Sequence, residues 1–463
     1  MRKGTTLVFD GVTHQQLKNH LITKDQKESA AILLCTNTIA KPMKLLVCEV
    51  IFVPHNECDR QGDELVWPGS YLEKAIDHAE LDNLSIVVIH SHPGGYWGFS
   101  SLDDESDKVV MTSLSMALPS GPLHGSAIMI PSGAVKARLY NRSYEPQDIE
   151  LVAIYGDDFQ FFWSDAEDTN QRPMAFSNSM SNELARLSIA VVGVSGTGSI
   201  VAEQLARMGV GSITVVDYDR IEHKNLNRIL NSKLNDADTG ELKVDLFKRS
   251  VKSFSPNTDV TAVPFSIFSK KAIYEVSKTD ILFCCVDSQI GRNVCDLLSS
   301  AFLMPLFDVG VVIPIRKQQN GSEAILDINI RIDYVQPRKS SLFDRGVYTS
   351  SGVAAEDLAS SDFELYEKRV QEGYMPGSIE EAPSVISANM KAAAICVQEF
   401  ISRTYPYRLN SNSKYARTIV SLAECENEYT DESSFSCSPY TSVIAAKAFK
   451  SPLLGIPALE DEK

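Results

Sequence analysis

The hydrophobic and polar positions of the first third of the chain alternate in short segments that are typical of strands. A helical pattern at 71–79 separates the first two of these segments. Acidic, polar sequence at 156–172 predicts a linker, within which Phe159–Trp163 keeps the pattern of a last strand. We therefore expect an α+β domain at 1–164. The three segments that predict strands are Leu45–Val53, Ile86–Ile89 and Ala127–Ile130.

The pattern changes from Leu187 onward to buried strand, glycine turn, helix and strand, which is the rhythm of a βαβ unit. A strand-like set at Ile325–Val335 and a helical pattern at Val385–Ser402 fit the same doubly wound parallel sheet. The segment Leu409–Lys463 carries mixed signals and receives no assignment. The sequence therefore predicts an α/β chain whose second, Rossmann-like domain spans 165–463.

The composition narrows the classes of partner. The chain has 463 residues, 44% of them hydrophobic, and a formal net charge of −16 without a basic cluster. This charge would repel a phosphate backbone, so we expect no nucleic-acid partner. No apolar segment approaches the roughly 18–20 residues that span a bilayer. Nine cysteines without a CxxC pair are typical of a reducing compartment, and we expect a cytoplasmic protein that does not insert into a membrane.

The first candidate site follows the apolar strand SIVVI. His90 and His92 stand two residues apart at the end of this strand, so their imidazoles share one face. A carboxylate from the start of the next helix, where Asp103 stands, would complete three zinc ligands and leave a fourth position for water. A pair of strand histidines alone is more often structural than metal-binding.

The complete string from His90 to Asp103 resembles the JAMM family, also called MPN+ or Mov34-like. That family has His-x-His-Pro and then Ser-x-x-Asp, with the aspartate eleven residues after the second histidine, as Asp103 is here. The resemblance covers about 150 residues and implies a zinc isopeptidase domain with a cytidine-deaminase-like layout. It implies Zn²⁺ ligands at His90, His92 and Asp103, and a hydrogen bond from Ser100 to the tetrahedral intermediate.

Hydrolysis of an amide also requires a general base. The family takes it from an upstream glutamate, and by this resemblance Glu28, in KESAAILLC, is our choice. Glu49 is the alternative, although it alternates within a strand, which favours a solvated position. Asp104 and Asp107 follow the third ligand, and helix capping and the helix dipole explain them more simply than metal binding.

The second candidate site is a glycine-rich turn. Gly193, Gly196 and Gly198 lie between a strand and a helix, and Asp217 ends the next strand. Amides at such a helix start can hold a phosphate, and the carboxylate can hold a ribose hydroxyl. On this pattern alone an NAD-dependent dehydrogenase is the obvious interpretation. The motif is imperfect, because Ser195 occupies the second glycine position.

The text after Asp217 is similar to the adenylating domains of ThiF, MoeB and ubiquitin-activating proteins, which have Asp-x-Asp and then Ser-Asn-Leu-x-Arg. Here the string is DYDRIEHKNLNR, with Lys224 in place of the serine. The resemblance implies that ATP is bound with Mg²⁺. Asp217 would take the ribose, while the other implied residues are Asn225, Arg228 and Lys243 for the phosphates and Asp287 for magnesium.

The same family uses an arginine upstream of the glycine turn that reaches the ATP of a partner subunit. Arg172 stands in about that place, and Arg186 is the alternative. A homodimer through the adenylating domain is implied by this resemblance. Arg292 also follows Asp287 at the spacing found in the family.

The resemblance fails at the cysteines. Relatives often carry a Cys-x-x-Cys pair for structural zinc where this chain has Ser341 and Asp344, so we expect no structural zinc in this domain. The crossover between Cys295 and Cys396 contains no thiol that could form a thioester. Cys425 and Cys437 are the two candidates that are left, in polar sequence, and we favour an enzyme that stops at the acyl-adenylate.

The leading hypothesis is a bifunctional enzyme that cleaves at the C-terminal tail of a ubiquitin-like protein and adenylates its terminal carboxylate. The implied partners are this ubiquitin-like protein and a conjugating enzyme. The alternative of another class is a peptidase with a non-catalytic, activating-enzyme-like domain that serves as a binding scaffold. A dehydrogenase is less favoured, since it has no use for Asn225, Arg228 and Lys243.

Overall fold

The computed structural model describes residues 4–61, 64–166, 172–317, 323–372 and 384–459. Strands and helices are numbered in chain order. The first half contains β1 (Thr6–Asp10), α1 (Gly11–Leu21), β2 (Ala30–Asn37), β3 (Lys44–Phe52), β4 (Asp59–Gln61), β5 (Glu64–Val66), α2 (Ser70–Asp82), β6 (Ser85–Ser91), α3 (Ser101–Ala117), β7 (Gly125–Met129), β8 (Val135–Tyr140), β9 (Pro146–Asp148), β10 (Leu151–Tyr155) and β11 (Phe159–Trp163).

The second half continues this numbering. It contains α4 (Asn178–Leu184), β12 (Ser188–Val192), α5 (Gly196–Arg207), β13 (Ser212–Val216), α6 (Leu234–Thr239), α7 (Lys243–Phe254), β14 (Asp259–Val263), α8 (Lys270–Ser277), β15 (Ile281–Cys284), α9 (Gln289–Ala301), β16 (Leu306–Val312), β17 (Ile315–Lys317), β18 (Glu323–Ile325), β19 (Asn329–Val335), α10 (Ser350–Ser361), α11 (Phe363–Gln371), α12 (Ile386–Thr404), β20 (Arg417–Ser421), β21 (Glu426–Thr430) and α13 (Pro439–Ser442).

The first half is built on a nine-stranded mixed sheet in the order β11-β10-β1-β3-β2-β6-β7-β8-β9. Its central strands are buried on both faces, which explains why nearly all of their residues are apolar. The three strands expected from the hydrophobic pattern are β3, β6 and β7, and the expected helix is α2. The last strand, β11, is also formed, so the acidic text at 156–166 is only partly a linker.

The second half is built on an eight-stranded sheet in the order β14-β13-β12-β15-β16-β19-β20-β21. The first five strands are parallel, and the remaining ones pair antiparallel. This arrangement confirms a mixed α/β fold with a parallel sheet. The unassigned C-terminal text contributes β20 and β21, which extend the sheet at one edge.

The two sheets share one apolar core. Phe159 is 1% exposed, and its ring centroid lies 6.2 Å from that of Phe307 and 5.8 Å from that of Tyr334. The Tyr334 hydroxyl donates to the Gly156 carbonyl at 2.5 Å, and Arg403 donates to the Asp157 carbonyl at 2.8 Å. The boundary near 165 therefore divides the sequence motifs without dividing the hydrophobic core.

A buried lysine also connects the first half of the chain to the second. Lys44, which begins β3, is 2% exposed, and its ammonium donates to the carbonyls of Ser277 and Thr279 at the end of α8. Burying a charge without such acceptors would be costly. The sequence pattern gave no indication of this role, because a lysine at the start of a strand normally faces solvent.

Among the residues that the structure describes, none of the helices is both long enough and apolar enough to cross a bilayer. The longest of the described helices, α12, has 19 residues and packs along the second sheet.

Phe159→Ala should lower the free energy of unfolding by about 3–5 kcal/mol, because it removes a buried ring from the shared core. The tryptophans Trp67, Trp97 and Trp163 all lie in the first half, and Trp163 also contacts Arg186 of the second half. Their fluorescence in a urea titration therefore reports on the first half and on this contact. Far-ultraviolet circular dichroism reports on both halves. Both midpoints should fall together, whereas the exposed-ring control Phe265→Ala should change them little. A shift in fluorescence alone would contradict a shared core.

Candidate functional site

The structure brings the three predicted zinc ligands together. His90 Nε2 lies 3.0 Å from His92 Nε2 and 3.0 Å from Asp103 Oδ1, and His92 Nε2 lies 3.5 Å from Asp103 Oδ2. All three ligand atoms fall within 4.8 Å of one another. Within the described residues no other histidines, cysteines or acidic residues form such a group of three. Two imidazoles and one carboxylate are the donor set of many catalytic zinc sites.

Local hydrogen bonds fix both ends of this cluster. Ser100 caps α3, with its hydroxyl accepting from the Asp103 N–H at 3.1 Å, while Asp103 accepts the Ser100 N–H at 2.6 Å. His92 Nδ1 lies 3.0 Å from the Tyr96 carbonyl, which can only accept. In the neutral ring, Nε2 then keeps its lone pair toward the cluster, as a metal ligand requires.

The cluster favours a cation electrostatically. Burial would raise the pKa of Asp103, but hydrogen bonds from His90 and His92 hold it well below its usual range. Burial by itself would lower the pKa of His92. The hydrogen bonds to Asp103 and the Tyr96 carbonyl and the charges of Asp103 and Glu28 outweigh burial, so the pKa of His92 is raised. The donor set therefore fits a divalent metal ion, which would supply the positive charge that a proton otherwise supplies.

Asp104 and Asp107 do more than cap the helix, so the simpler interpretation is incomplete. Asp107 is 8% exposed and accepts from Arg138 Nη2 at 2.6 Å and from the Tyr140 hydroxyl at 2.8 Å. Arg138 Nη1 donates to Asp104 at 2.6 Å, and its guanidinium stacks 3.7 Å from the Phe99 ring centroid. This network fastens α3, and with it Asp103, to β8.

The structure separates the two candidate bases. Ala30 pairs with His90 between β2 and β6, and Ser29 exchanges hydrogen bonds with Ser91, so Glu28 lies across from His92. Its charge contributes to the pKa of that histidine. Glu49 is exposed and pairs with His78 at 3.2 Å, at the level of β2 where Leu34 pairs with Ile86. Four residues of strand, about 13 Å, separate that level from His90.

The glycine turn of the second site is sterically specified. Gly193 has φ +86°, and a Cβ on Gly198 would stand 1.7 Å from the Gly193 carbonyl oxygen. A Cβ on Gly196 would stand 2.3 Å from Asn389 Nδ2. Ser195 has φ −90°, so it needs no glycine, which explains the imperfect motif. Asn389, on α12, is a buried residue beside the turn that the sequence analysis missed.

Acidic and basic side chains meet at the ends of β12 and β13. Asp217 accepts the Val194 N–H at 2.8 Å and the Asp219 N–H at 2.9 Å. Lys243, which is 6% exposed, pairs with Asp219 at 2.6 Å and lies 3.9 Å from Asp217. Burial raises the pKa of Asp217 in spite of this lysine. The carboxylate of Asp219 thus holds the lysine ammonium close to Asp217.

Asn225 and Arg228 lie on the loop after β13. The Asn225 side chain is buried and accepts the Glu222 N–H at 3.0 Å. Arg228 donates to the Lys224 carbonyl at 2.9 Å, and its Cδ lies close to the position that a Cβ on Gly196 would take. Arg228 therefore approaches the glycine turn, although it is about 30 positions away in sequence.

Asp287 is exposed in the loop between β15 and α9. The helix that follows it is capped by Glu356 from α10, whose carboxylate accepts the N–H groups of Gln289 and Ile290 at 2.9 Å each. Arg292, one turn along α9, lies 3.4 Å from the buried Asp308. No sequence signal singled out Glu356, because its contact joins segments 66 residues apart or more.

The two candidate upstream arginines differ in their surroundings. Arg172 is exposed, immediately after the undescribed residues 167–171. Arg186 stacks 3.7 Å from the ring centroid of Trp163 and pairs with Asp165 at 3.0 Å. Arg186 is thus engaged within its own chain.

The cysteines of the second half divide, as expected, into core residues and two exposed residues near the C-terminus. Burial raises the pKa of the Cys284, Cys285 and Cys396 thiols, as expected for core residues. Cys425 and Cys437 are exposed.

At the position where relatives carry Cys-x-x-Cys, the backbone N–H and hydroxyl of Ser341 donate to Asp344 at 2.9 and 2.8 Å. Asp344 also accepts the Ser438 N–H at 3.0 Å, so hydrogen bonds join the two segments here.

Comparison with known proteins identifies the first part of the second half. Residues 169–321 match the model of the ThiF family. This segment is a ThiF-like domain. A ubiquitin-like modifier-activating enzyme 5 from Bombyx mori is 28% identical over 140 residues, covering 28% of this chain and 35% of that protein. The tRNA threonylcarbamoyladenosine dehydratase of Bacillus subtilis (strain 168) is 40% identical over 92 residues, covering 20% of this chain and 35% of that protein.

The chain thus spans about a third of the length of these curated relatives. Among solved structures, the microcin C7 biosynthetic enzyme MccB in complex with N-formylated MccA is similar at a TM-score of 0.44 and 21% identity, covering 58% of this chain and 71% of that chain. The ThiF match begins at residue 169, so the half that carries His90, His92 and Asp103 lies outside it.

The purified protein should contain about one zinc per chain by inductively coupled plasma mass spectrometry. His90→Ala and Asp103→Ala should each remove most of it, because two ligands hold zinc poorly. His78→Ala is the matched control, since His78 lies in the same domain and pairs with Glu49 at the surface. Zinc retained in both ligand variants would contradict the assignment.

Proposed function

We propose that the chain is a bifunctional enzyme that acts on the C-terminal tail of a ubiquitin-like protein. The N-terminal domain would cleave an amide bond at that tail, and the ThiF-like domain would use ATP to adenylate its terminal carboxylate. The observation that carries this proposal is one chain in which two sheets share a core, with the His90, His92 and Asp103 cluster in the first half and a ThiF-family match at 169–321.

For the peptidase half, His90, His92 and Asp103 would hold Zn²⁺. The bound ion would polarise the scissile carbonyl and make water a better nucleophile near neutral pH. Glu28 lies across from His92 and would take the proton from the attacking water and pass it to the leaving amine. The Ser100 hydroxyl accepts from Asp103 through a lone pair, so its own proton can be donated to the developing oxyanion.

For the adenylating half, the tail carboxylate would attack the α-phosphorus of ATP and release pyrophosphate. The amides of the glycine turn and the side chains of Asn225, Arg228 and Lys243 would bind phosphates, and Asp217 would bind the ribose. Asp287 would hold Mg²⁺, which neutralises charge on the phosphates. The pairing of Lys243 with Asp219 supports this role, because it places the ammonium close to Asp217, the proposed ribose ligand.

The partners follow from the same proposal. A ubiquitin-like protein is the substrate, and a conjugating enzyme is the acceptor of the activated tail. In a homodimer, Arg172 would reach the ATP of the other subunit, and its exposure supports this choice over the engaged Arg186. Because the core cysteines are buried and the crossover at 296–395 contains no thiol, we propose that the chain stops at the acyl-adenylate. On this proposal neither Cys425 nor Cys437 forms a thioester.

The scaffold alternative predicts that the ThiF-like domain binds the ubiquitin-like protein without turning over ATP. Its motivation is the missing thioester cysteine. The dehydrogenase alternative predicts dinucleotide binding, and the ThiF match disfavours it.

Glu28→Gln should lower kcat for cleavage of a ubiquitin-like fusion by about 10²–10⁴-fold while zinc stays bound, since the base is not a ligand. The fusion joins a ubiquitin-like protein from a neighbouring gene to a fluorescent protein, and release is followed on a gel. Glu49→Gln is the control and should keep near-normal turnover. The reverse pattern would reassign the base to Glu49.

Asp287→Asn should reduce ATP–pyrophosphate exchange, measured with the same ubiquitin-like protein, by at least about 100-fold. Cleavage by the zinc site should continue, because the two sets of side chains lie on separate sheets. Asp259→Asn, an exposed aspartate at the start of β14, should leave exchange unchanged. Absence of exchange in the unmodified protein would favour the scaffold.

A further inference from the structure

The side chain of Arg60 joins a hairpin to the segment that carries Glu28. The hairpin consists of β4 and β5, which pair antiparallel outside the main sheet. Arg60 lies on β4, and its side chain is only 8% exposed. It reaches the turn between α1 and β2, which includes Thr23, Asp25 and Glu28.

The guanidinium binds this turn through all three of its nitrogens. Nε donates to the Glu28 carbonyl at 2.6 Å, and Nη2 donates to the Lys27 carbonyl at 2.8 Å and to Ser29 Oγ at 3.0 Å. Nη1 donates to Asp25 at 3.0 Å. Nη2 also donates to Thr23 Oγ1 at 3.2 Å. A planar, rigid fork can hold several acceptors at fixed positions, which a lysine cannot do.

The opposite side of the segment is held by the strand of the zinc ligands. Ser29 donates its N–H to Ser91 Oγ at 3.0 Å and accepts the Ser91 N–H at 3.0 Å. Glu28 therefore lies between two restraints, with β6 on its C-terminal side and Arg60 on its own carbonyl. Loss of Arg60 removes the hydrogen bond that holds the Glu28 carbonyl.

We propose that Arg60 is a positioning residue for Glu28 and that it couples the placement of the β4–β5 hairpin to the placement of the base. This inference rests on the proposed peptidase function. A displacement of the base by about 1 Å is enough to cost roughly 100-fold in rate, although no ligand or substrate contact is lost. The hairpin thereby influences catalysis through the backbone of Glu28.

The test uses Arg60→Gln and Arg60→Lys in the full-length, zinc-loaded protein. The matched control is Arg142→Gln, because Arg142 also donates to two backbone carbonyls, those of Pro119 and Gly121, in another loop of the same domain. The probe is ubiquitin fused through its C-terminal glycine to a fluorescent protein. Readouts are kcat and KM for cleavage, zinc content, and hydrogen–deuterium exchange of residues 23–29 with and without zinc.

Arg60→Gln should lower kcat by up to about 100-fold with KM and zinc content nearly unchanged, and residues 23–29 should exchange faster. Arg60→Lys should restore part of kcat. Arg142→Gln should change none of these readouts. A rise in KM alone, a loss of zinc, or an equal effect of Arg142→Gln would overturn the inference.

The outcomes separate the inference from the function on which it rests. If the unmodified protein holds zinc but does not cleave the fusion, the proposed peptidase function fails for this substrate. The hydrogen–deuterium exchange data still decide the role of Arg60. Unchanged exchange of residues 23–29 in Arg60→Gln would then refute it.

Discussion

The core that β10 and β11 share with the second sheet is the constraint on which the rest of the structure depends. The ring of Phe159 packs on Phe307 and Tyr334, and Tyr334 returns a hydrogen bond to the Gly156 carbonyl. If the two sheets were separated, the sheet faces that meet in this core would expose apolar side chains to water. The two candidate sites therefore belong to one folded unit, although their motifs resemble those of separate families.

In both sites, charged side chains form hydrogen bonds that fix the backbone segments next to the candidate site residues. Arg138 holds α3 through Asp104 and Asp107, and thereby holds Asp103. Glu356 caps the helix that follows Asp287. In each case a buried or half-buried charge is satisfied by several hydrogen bonds, which offset its desolvation.

The glycine turn illustrates how backbone geometry limits a motif. Gly198 is required because a Cβ would collide with the Gly193 carbonyl, whereas Ser195 is accepted at a negative φ. A pattern search that demands three glycines in the usual spacing undervalues this turn. The ThiF match supports the interpretation that the neighbouring residues gave, because those residues have no place in a dehydrogenase.

The sequence by itself determined the strand and helix periodicity and the local motifs, since each depends on neighbours within a few residues. The alternation of strand and helix in the second half predicted its parallel sheet. His90, His92 and Asp103 could be grouped because a strand end and the next helix start are adjacent along the chain. Arg60, Arg138, Asn389 and Glu356 escaped prediction. Their contacts join segments separated by about 30 to 190 positions, and only the packing of sheets and helices decides which distant side chains meet.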